Sequence, residues 1–452
     1  MKASFTLTTS EGGKFVPDTW QKEVLNSTAH TRICVNGRQT GKTTLLLADM
    51  MNTAYATPGG ESMLCVSVYK ILDPILTKLF RMVPDFAIKH WNKQQGILTI
   101  GQPIVDDDGQ IIETKTIHTI WLRSADRPDT LRGPTLHSLY VDEATVIQNP
   151  TVWHEVLEPM LAMERQAGTG GRALITGTPK GTAAWVYDLW KRGQDPTHPN
   201  LESWKVTAYD CPRYTEEYLQ EKRDSMTEAS FAQEYMAEWI NAEGRLFRAD
   251  SIEACTKGAL QEPQSGRKYI IGADFARKID YSVFIVMDIT SNKVVAFQRM
   301  KQLPYPVIEE RLAKLAKRYN NALVCYDATQ RSEELLRSLR QRGLHRLMPV
   351  AFTSKSKPAM MEMLAIAIEK GTISFPKIDF LLRELEVFRV KKTPHGNMKF
   401  EAPPGHHDDG IDALALCVYG KRRALRKACG RNSGMSRIMR PRQSLSSAFG
   451  TV

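Results

Sequence analysis

The stretch Asn36-Gly37-Arg38-Gln39-Thr40-Gly41-Lys42-Thr43-Thr44 lies between an apolar run and a helical pattern. At such a junction, backbone N–H groups and a helix N-terminus can cradle phosphate oxygens. Lys42 would reach the β and γ phosphates of a nucleotide, and the Thr43 hydroxyl would ligate Mg²⁺. Asn36 stands where the pattern usually has its first glycine, and asparagine tolerates left-handed backbone better than most residues. Downstream, Leu139-Tyr140-Val141-Asp142-Glu143-Ala144 ends an apolar run in two adjacent carboxylates. Asp142 would hold the Mg²⁺ shell, and Glu143 would polarise the attacking water. A solvated acidic pair after a core strand is the bland alternative, and the phosphate loop upstream argues against it.

Three further features fit the same site. Thr178, in Thr176-Gly177-Thr178-Pro179, follows another apolar run and would sense the γ-phosphate; a plain turn competes with that role. Gln21, beside Trp20 and upstream of the first strand, would read an adenine edge. Arg132, ten residues before Asp142, would act as an arginine finger, with Arg127 as its rival.

A second group is made of acids. Asp274 sits inside the apolar run Tyr269–Phe275, where an unpaired carboxylate is costly to bury and a metal is a natural partner. Asp327 ends Ala322–Tyr326 in the same way. His406-His407-Asp408-Asp409-Gly410-Ile411-Asp412 then opens an apolar helix expected to run to about Tyr419, and Asp409 and Asp412, three apart, share a face. Such an all-oxygen set suits two Mg²⁺ or Mn²⁺ ions, which activate water and stabilise the leaving oxygen of a phosphodiester. His406 and His407 would position water or simply belong to the preceding loop.

These residues need elements to position them. In the first part, apolar runs alternate with helical stretches, the mark of an α/β domain with a largely parallel sheet. The spacing predicts strands at 32–36, 63–69, 116–122, 138–141 and 173–176, with helices at 43–54 and 71–83. Residues 215–239 read as a helical lid or linker, and 258–266 as a hinge. Beyond it come three strand-like runs with a hairpin at Ser291-Asn292, then alternating helix and strand, an order like that of ribonuclease H. The expected domains are an ATPase core at 1–205, a lid or linker at 206–262, a nuclease at 263–425 and a basic flexible tail at 426–452.

Composition agrees with a globular chain: hydrophobic residues make up 42% and charged residues 25%. No apolar run is long enough to span a bilayer, and the seven cysteines are scattered without a C-x-x-C pair. A protein of a reducing cytoplasm is expected. The net charge of +11 is localised. Nine of the 61 Lys and Arg residues lie in 421–452 (Lys421, Arg422, Arg423, Arg426, Lys427, Arg431, Arg437, Arg440, Arg442), where there is no Asp or Glu. The rest of the chain is nearly balanced. The tail therefore reads as a mobile arm able to bind phosphate backbone.

With both sites in view, residues 15–420 resemble the large terminase subunit of tailed double-stranded-DNA phages. The marks are the Arg-Gln-x-Gly-Lys-Thr loop, the Val-Asp-Glu-Ala strand end, Thr-Gly-Thr-Pro, the late His-Asp-Asp segment, and above all their order. The resemblance implies a P-loop (RecA/ASCE-like) ATPase followed by a ribonuclease-H-like nuclease. Gln21, Arg38, Gln39, Thr40, Gly41, Lys42, Thr43, Thr44, Asp142 and Thr178 would bind ATP and its Mg²⁺, with Glu143 catalytic and Arg132 completing a neighbour's site. Asp274, Asp327 and Asp409 would bind the nuclease metals, with Asp412 as a further ligand. It also implies double-stranded DNA as substrate and a homo-oligomeric, pentameric ring on the portal protein of a procapsid. A small terminase subunit would select the DNA. The protein would work in the host cytoplasm, docked transiently at the portal, and be absent from the mature virion. A helicase or repair nuclease with ATPase activity is the alternative.

Overall fold

The computed structural model describes residues 7, 14–107, 110–147, 149–181, 185–240, 244–275, 281–329, 332–392 and 398–432. The basic positions Arg437, Arg440 and Arg442 lie outside them. The chain divides into two compact units, Met1–Ala242 and Glu243–Val452.

The first unit is built on eight strands: β1 (Thr31–Asn36), β2 (Gly60–Val66), β3 (Ile88–Asn92), β4 (Ile97–Val105), β5 (Ile111–Ser124), β6 (Ser138–Asp142), β7 (Arg172–Gly177) and β8 (Leu201–Val206). Their order is β3-β4-β5-β2-β6-β7-β1-β8. From β5 to β8 every neighbour is parallel, while β3, β4 and β5 pair antiparallel. The parallel strands read as continuous apolar runs because helices cover both faces; β1 and β6 are buried along their whole length. β3 and β4 are half exposed, so no such run marked them, and sequence reading missed both along with β8. One adjacency matters most for chemistry. β7 lies between β1 and β6, so the phosphate loop, Thr176–Thr178 and Asp142-Glu143 emerge side by side at the carboxyl edge of the sheet.

The helix Lys42–Ala56 buries Leu45, Leu46, Leu47, Met50 and Met51 against this sheet. It is also fastened by charge. Arg32 on β1 makes a bidentate pair with Asp49 on the helix, at 3.1 and 2.6 Å, and a third bond to the Val24 carbonyl at 3.2 Å. The Arg32 guanidinium is held charged: burial works against its charge, and Asp49 more than offsets it.

The second unit holds β9 (Gly244–Arg245), β10 (Tyr269–Asp274), β11 (Tyr281–Asp288), β12 (Val294–Lys301), β13 (Leu323–Asp327), β14 (Leu347–Val350), β15 (Arg389–Lys392) and β16 (Met398–Glu401). The main sheet runs β12-β11-β10-β13-β14, antiparallel up to β10 and parallel beyond it, which is the ribonuclease-H-like order. Asn292, with φ 58°, makes the left-handed turn between β11 and β12. The helix Asp409–Asn432 lies directly on β10. A Cβ at Gly272 would run into the Ala413 carbonyl, so only glycine lets helix and strand approach this closely. The Gly272 N–H donates to Cys417 Sγ at 3.0 Å.

That helix continues past Tyr419 to Asn432, whereas sequence reading ended it near Tyr419 and took most of the chain from Lys421 onward as a mobile arm, with the flexible tail at 426–452. Arginine, lysine, leucine and alanine are good helix formers, so the turn propagates without an apolar period to guide it. The 258–266 segment, read as the hinge, lies within the second unit, where the Gln261 N–H donates to the Val295 carbonyl at 2.8 Å.

Six cysteines are free and buried: Cys34, Cys65 and Cys211 in the first unit, Cys255, Cys325 and Cys417 in the second. Burial pushes the Cys65 and Cys325 thiols up to about 12 and those of Cys34 and Cys417 higher still. Among the described residues no helix is long and apolar enough to cross a membrane.

Candidate active sites

The nucleotide site forms where β1 gives way to its helix. Asn36 ends β1 in extended backbone, fully buried, so the left-handed role expected of it falls instead to Gln39 (φ 53°) and Gly41 (φ 101°). These two positive-φ residues turn the loop back over the helix N-terminus. Lys42 is buried, its Nζ donating to the Gly37 carbonyl at 3.1 Å and to Thr178 Oγ1 at 2.9 Å, with Glu143 at 3.9 Å. Burial lowers its pKa, and Glu143 and Asp142 oppose that shift. The Thr43 hydroxyl donates to Asp142 Oδ2 at 2.8 Å, and the Thr176 hydroxyl to Asp142 Oδ1 at 2.7 Å. Thr43 and Asp142 thus present paired oxygens that suit a Mg²⁺ ion. Glu143 follows immediately in left-handed backbone (φ 52°), a conformation costing a non-glycine residue about 1 kcal/mol or more. The turn aims its half-exposed carboxylate away from the strand and toward Lys42. Thr178 is fixed through its carbonyl, which accepts from Thr145 Oγ1 at 2.6 Å.

Other expected members sit differently. Gln21 is buried with both ends of its amide engaged: Oε1 accepts from the Asp18 N–H at 2.9 Å, and Nε2 donates to the Gly41 carbonyl at 3.2 Å. It props the phosphate loop in this state. Arg38 pairs with Glu234, side chain to side chain and backbone N–H to backbone carbonyl. Thr40 Oγ1 donates to the Gly37 carbonyl at 3.0 Å, and Thr44 Oγ1 accepts from Lys78 Nζ. Arg132 and Arg127 are both exposed, on the segment between β5 and β6, and neither bonds to the phosphate loop, Lys42 or Glu143.

Two cations at this site escaped the sequence. Arg213 forks onto Asp18 at 3.2 and 2.9 Å and donates to the Thr40 carbonyl at 2.9 Å, while the neighbouring Tyr214 hydroxyl donates to the Arg38 carbonyl at 2.9 Å. Lys78 reaches Thr44 from the helix Leu72–Met82. Both approach from distant segments and belong to no local motif.

The acid cluster lies in the second unit, where β10 and β13 each end in an aspartate and the helix Asp409–Asn432 brings two more. Asp274 is pushed well above the carboxylate range, first by burial and then by Asp412, Asp409 and Asp327, so the four acids share one site. Asp412 is pushed up to about 7, mainly by burial. Its Oδ2 accepts from Lys357 Nζ at 2.8 Å, and the same ammonium reaches Asp408 Oδ2 at 3.0 Å. Asp412 Oδ1 is buried without a hydrogen-bond partner. Asp409 Oδ2 accepts from the Tyr281 N–H at 3.4 Å, with His407 Nδ1 at 3.8 Å. Asp327 Oδ1 accepts from the Thr329 N–H at 2.9 Å. His406 is exposed, in the loop before the helix.

An Asp274 carboxyl raised by burial and by three neighbouring acids, together with the orphaned oxygen of Asp412, fits a divalent cation held by oxygens alone. The four acids would close further on such an ion: among the described residues no three His, Cys, Asp or Glu side chains stand in metal-binding geometry. Lys357 supplies a positive charge there. Its pKa is raised, because Asp412 and Asp408 outweigh its burial. Glu384, also unforeseen, sits behind the cluster; burial pushes its carboxyl up to about 8, and its Oε2 accepts from the Gly410 N–H at 2.8 Å.

Comparison with known proteins finds relatives for both halves of the chain. Residues 33–254 match the family model for the terminase large subunit, T4likevirus-type, N-terminal, and residues 271–418 match that for the terminase RNaseH-like domain. The chain is 29% identical over 428 residues to the terminase large subunit of Thermus virus P23-45, covering 89% of this chain and 87% of that protein. It is 28% identical, with the same coverage, to its counterpart in Thermus phage G20c. The large terminase of another thermophilic bacteriophage shares its fold, with a TM-score of 0.51 at 16% identity over 90% of this chain and 99% of that one. With both halves matched in order, the chain belongs to the terminase large-subunit family.

Proposed function

We propose that this chain hydrolyses ATP at the Lys42–Asp142–Glu143 site to drive double-stranded DNA into a viral procapsid, and cuts that DNA at the Asp274 cluster. The observation that carries this is the joint presence of a phosphate loop whose lysine touches Thr178 and a ribonuclease-H-like sheet bearing convergent acids. The helicase reading has no observation of its own.

The geometry supports a coupling step. Arriving β and γ phosphates draw Lys42 Nζ away from the Gly37 carbonyl and Thr178 Oγ1, so nucleotide occupancy is felt at the end of β7. Glu143 orients the attacking water, and Asp142 with Thr43 would hold a Mg²⁺ ion, which would offset phosphate charge. Arg213 and Tyr214, which grip the phosphate loop from the 206–262 segment, favour a lid role for that segment. In the nuclease, Asp274, Asp327 and Asp409, with Asp412, would hold two Mg²⁺ or Mn²⁺ ions, which supply an activated water and stabilise the leaving oxygen. A pentameric ring on the portal, DNA selection by a small subunit, and transient residence at the procapsid in the host cytoplasm complete the reading. The exposed Arg132 is the group to complete a neighbour's site.

The test uses one preparation and two assays. Glu143→Ala should lose ATP hydrolysis and keep plasmid cleavage, and Asp274→Asn the reverse; loss of both activities in either variant would contradict two separate centres. Mixing Arg132→Ala with Lys42→Ala subunits should restore part of the ATPase activity. An inactive mixture in assembled rings would remove the finger from Arg132.

A further inference from the structure

We propose that Glu384 is the positioning residue of the nuclease centre, acting through the first turn of the helix that carries Asp409 and Asp412. The proposal rests on the nuclease reading above. Glu384, on the helix Asp379–Val387, is 5% exposed. Its Oε2 accepts from the backbone N–H groups of Gly410 at 2.8 Å and Ile411 at 3.3 Å. These are among the amides that the first turn of any helix leaves without an internal acceptor. An acceptor oxygen there also faces the positive end of the helix dipole.

The other oxygen joins a second support. Glu384 Oε1 lies 3.8 Å from Arg299 Nη2 on β12. The Arg299 guanidinium is clamped between two rings, 3.7 Å from the centre of Tyr281 and 4.5 Å from that of Phe380. Tyr281 opens β11, and its backbone N–H is the one that meets Asp409 Oδ2. Asp409 is therefore held twice, by β11 at its carboxylate and by Glu384 at the two amides that follow it. The joint has no slack. A Cβ at Gly410 would meet Glu384 Oε2 and the Phe380 ring, each at 2.8 Å. Removing the Glu384 carboxylate leaves two buried amides without an acceptor, and the turn that orients Asp409 and Asp412 loses its fixed register. Groups that orient ligands in this way typically change metal affinity by about 10- to 100-fold.

The test is a calorimetric titration of the full chain with Mn²⁺, alongside ATPase activity and thermal unfolding. Glu384→Ala should weaken Mn²⁺ binding about 10-fold or more while ATP hydrolysis is retained. Glu384→Gln, whose amide oxygen can accept the same two N–H groups, should bind Mn²⁺ nearly as wild type does. A loss in the glutamine variant equal to that in alanine would overturn the acceptor as the origin of the effect. Gly410→Ala displaces Glu384 without altering it and should weaken binding in the same direction; if Glu384→Ala does not fold, this variant decides. Wild-type affinity in both Glu384→Ala and Gly410→Ala would overturn the proposal. Asp274→Asn is the control that separates the two readings. If it loses Mn²⁺ and Glu384→Ala does not, only the positioning role falls; if Mn²⁺ binding survives Asp274→Asn, the nuclease centre falls with it.

Discussion

The two centres face opposite charge problems. At the nucleotide site the ligand is a polyanion, and the protein offers a lysine, backbone amides and hydroxyls. These groups satisfy one another in advance: Lys42 bonds Gly37 and Thr178, and Thr43 bonds Asp142. At the nuclease site the ligand is a cation, and the protein offers four acids with a single lysine, Lys357, among them. Burial and then Asp412, Asp409 and Asp327 raise the cost of ionising Asp274, burial chiefly raises that of Asp412, and Lys357 offsets part of both. A site for anions can be assembled before its ligand arrives. A site for cations stores repulsion until then, and its scaffold, here Glu384 and Tyr281, must hold the acids in place.

The contrast can be broken in several ways. The largest expected effect is Asp274→Asn, which removes a metal ligand and should abolish Mg²⁺- or Mn²⁺-dependent plasmid cleavage, read on gels, while ATP turnover continues. Glu143→Ala should lower ATP hydrolysis by about 100-fold or more with nucleotide binding retained, because Lys42 and the loop amides do the binding. Near-normal turnover would remove Glu143 from catalysis.

Stability should respond with opposite signs in the two units. Asp49→Ala leaves Arg32 buried and unpaired and should destabilise the first unit by about 3–5 kcal/mol, measurable by denaturant unfolding. Asp274→Asn removes repulsion and should stabilise the second unit in chelator, raising its midpoint by about 2–4 °C per kcal/mol gained. The pH dependence follows. Asp412 titrates near 7 when folded, against an ordinary value of 3.8, so the folded chain binds more protons between those values. Stability is therefore lost as pH rises from about 4 to about 7. Saturating Mn²⁺ should reverse that slope; a flat profile without metal would mean that burial does not hold the Asp412 carboxyl protonated. The smallest effect belongs to neither centre. Deleting residues 433–452 removes Arg437, Arg440 and Arg442 and should make the salt dependence of DNA binding shallower, by up to about 2.7 in log–log slope.

What could be read beforehand was what lies close together along the chain. The phosphate loop is one contiguous segment, and Asp142-Glu143 announces itself by ending an apolar run. The acids were legible because each interrupts a buried strand or opens an apolar helix. Arg213, Lys78, Lys357 and Glu384 were not, since each comes from a segment with no motif and meets its site only through tertiary packing. Gln21 shows a subtler limit. Its position was foreseen, but its bonds to Asp18 and Gly41 depend on a loop geometry that no spacing encodes. The half-exposed β3 and β4 escaped because antiparallel strands alternate faces and leave no continuous apolar signature.

The buried thiols give each unit its own clock. A thiol held near 12 inside a closed core does not react with an alkylating reagent at neutral pH until the fold around it opens. Cys34 and Cys65 lie on β1 and β2 of the first unit, Cys325 and Cys417 on β13 and the long helix of the second. Their labelling rates, resolved peptide by peptide, would time the opening of the two halves separately within one unmodified chain. ATP should slow only the first pair, and Mn²⁺ only the second.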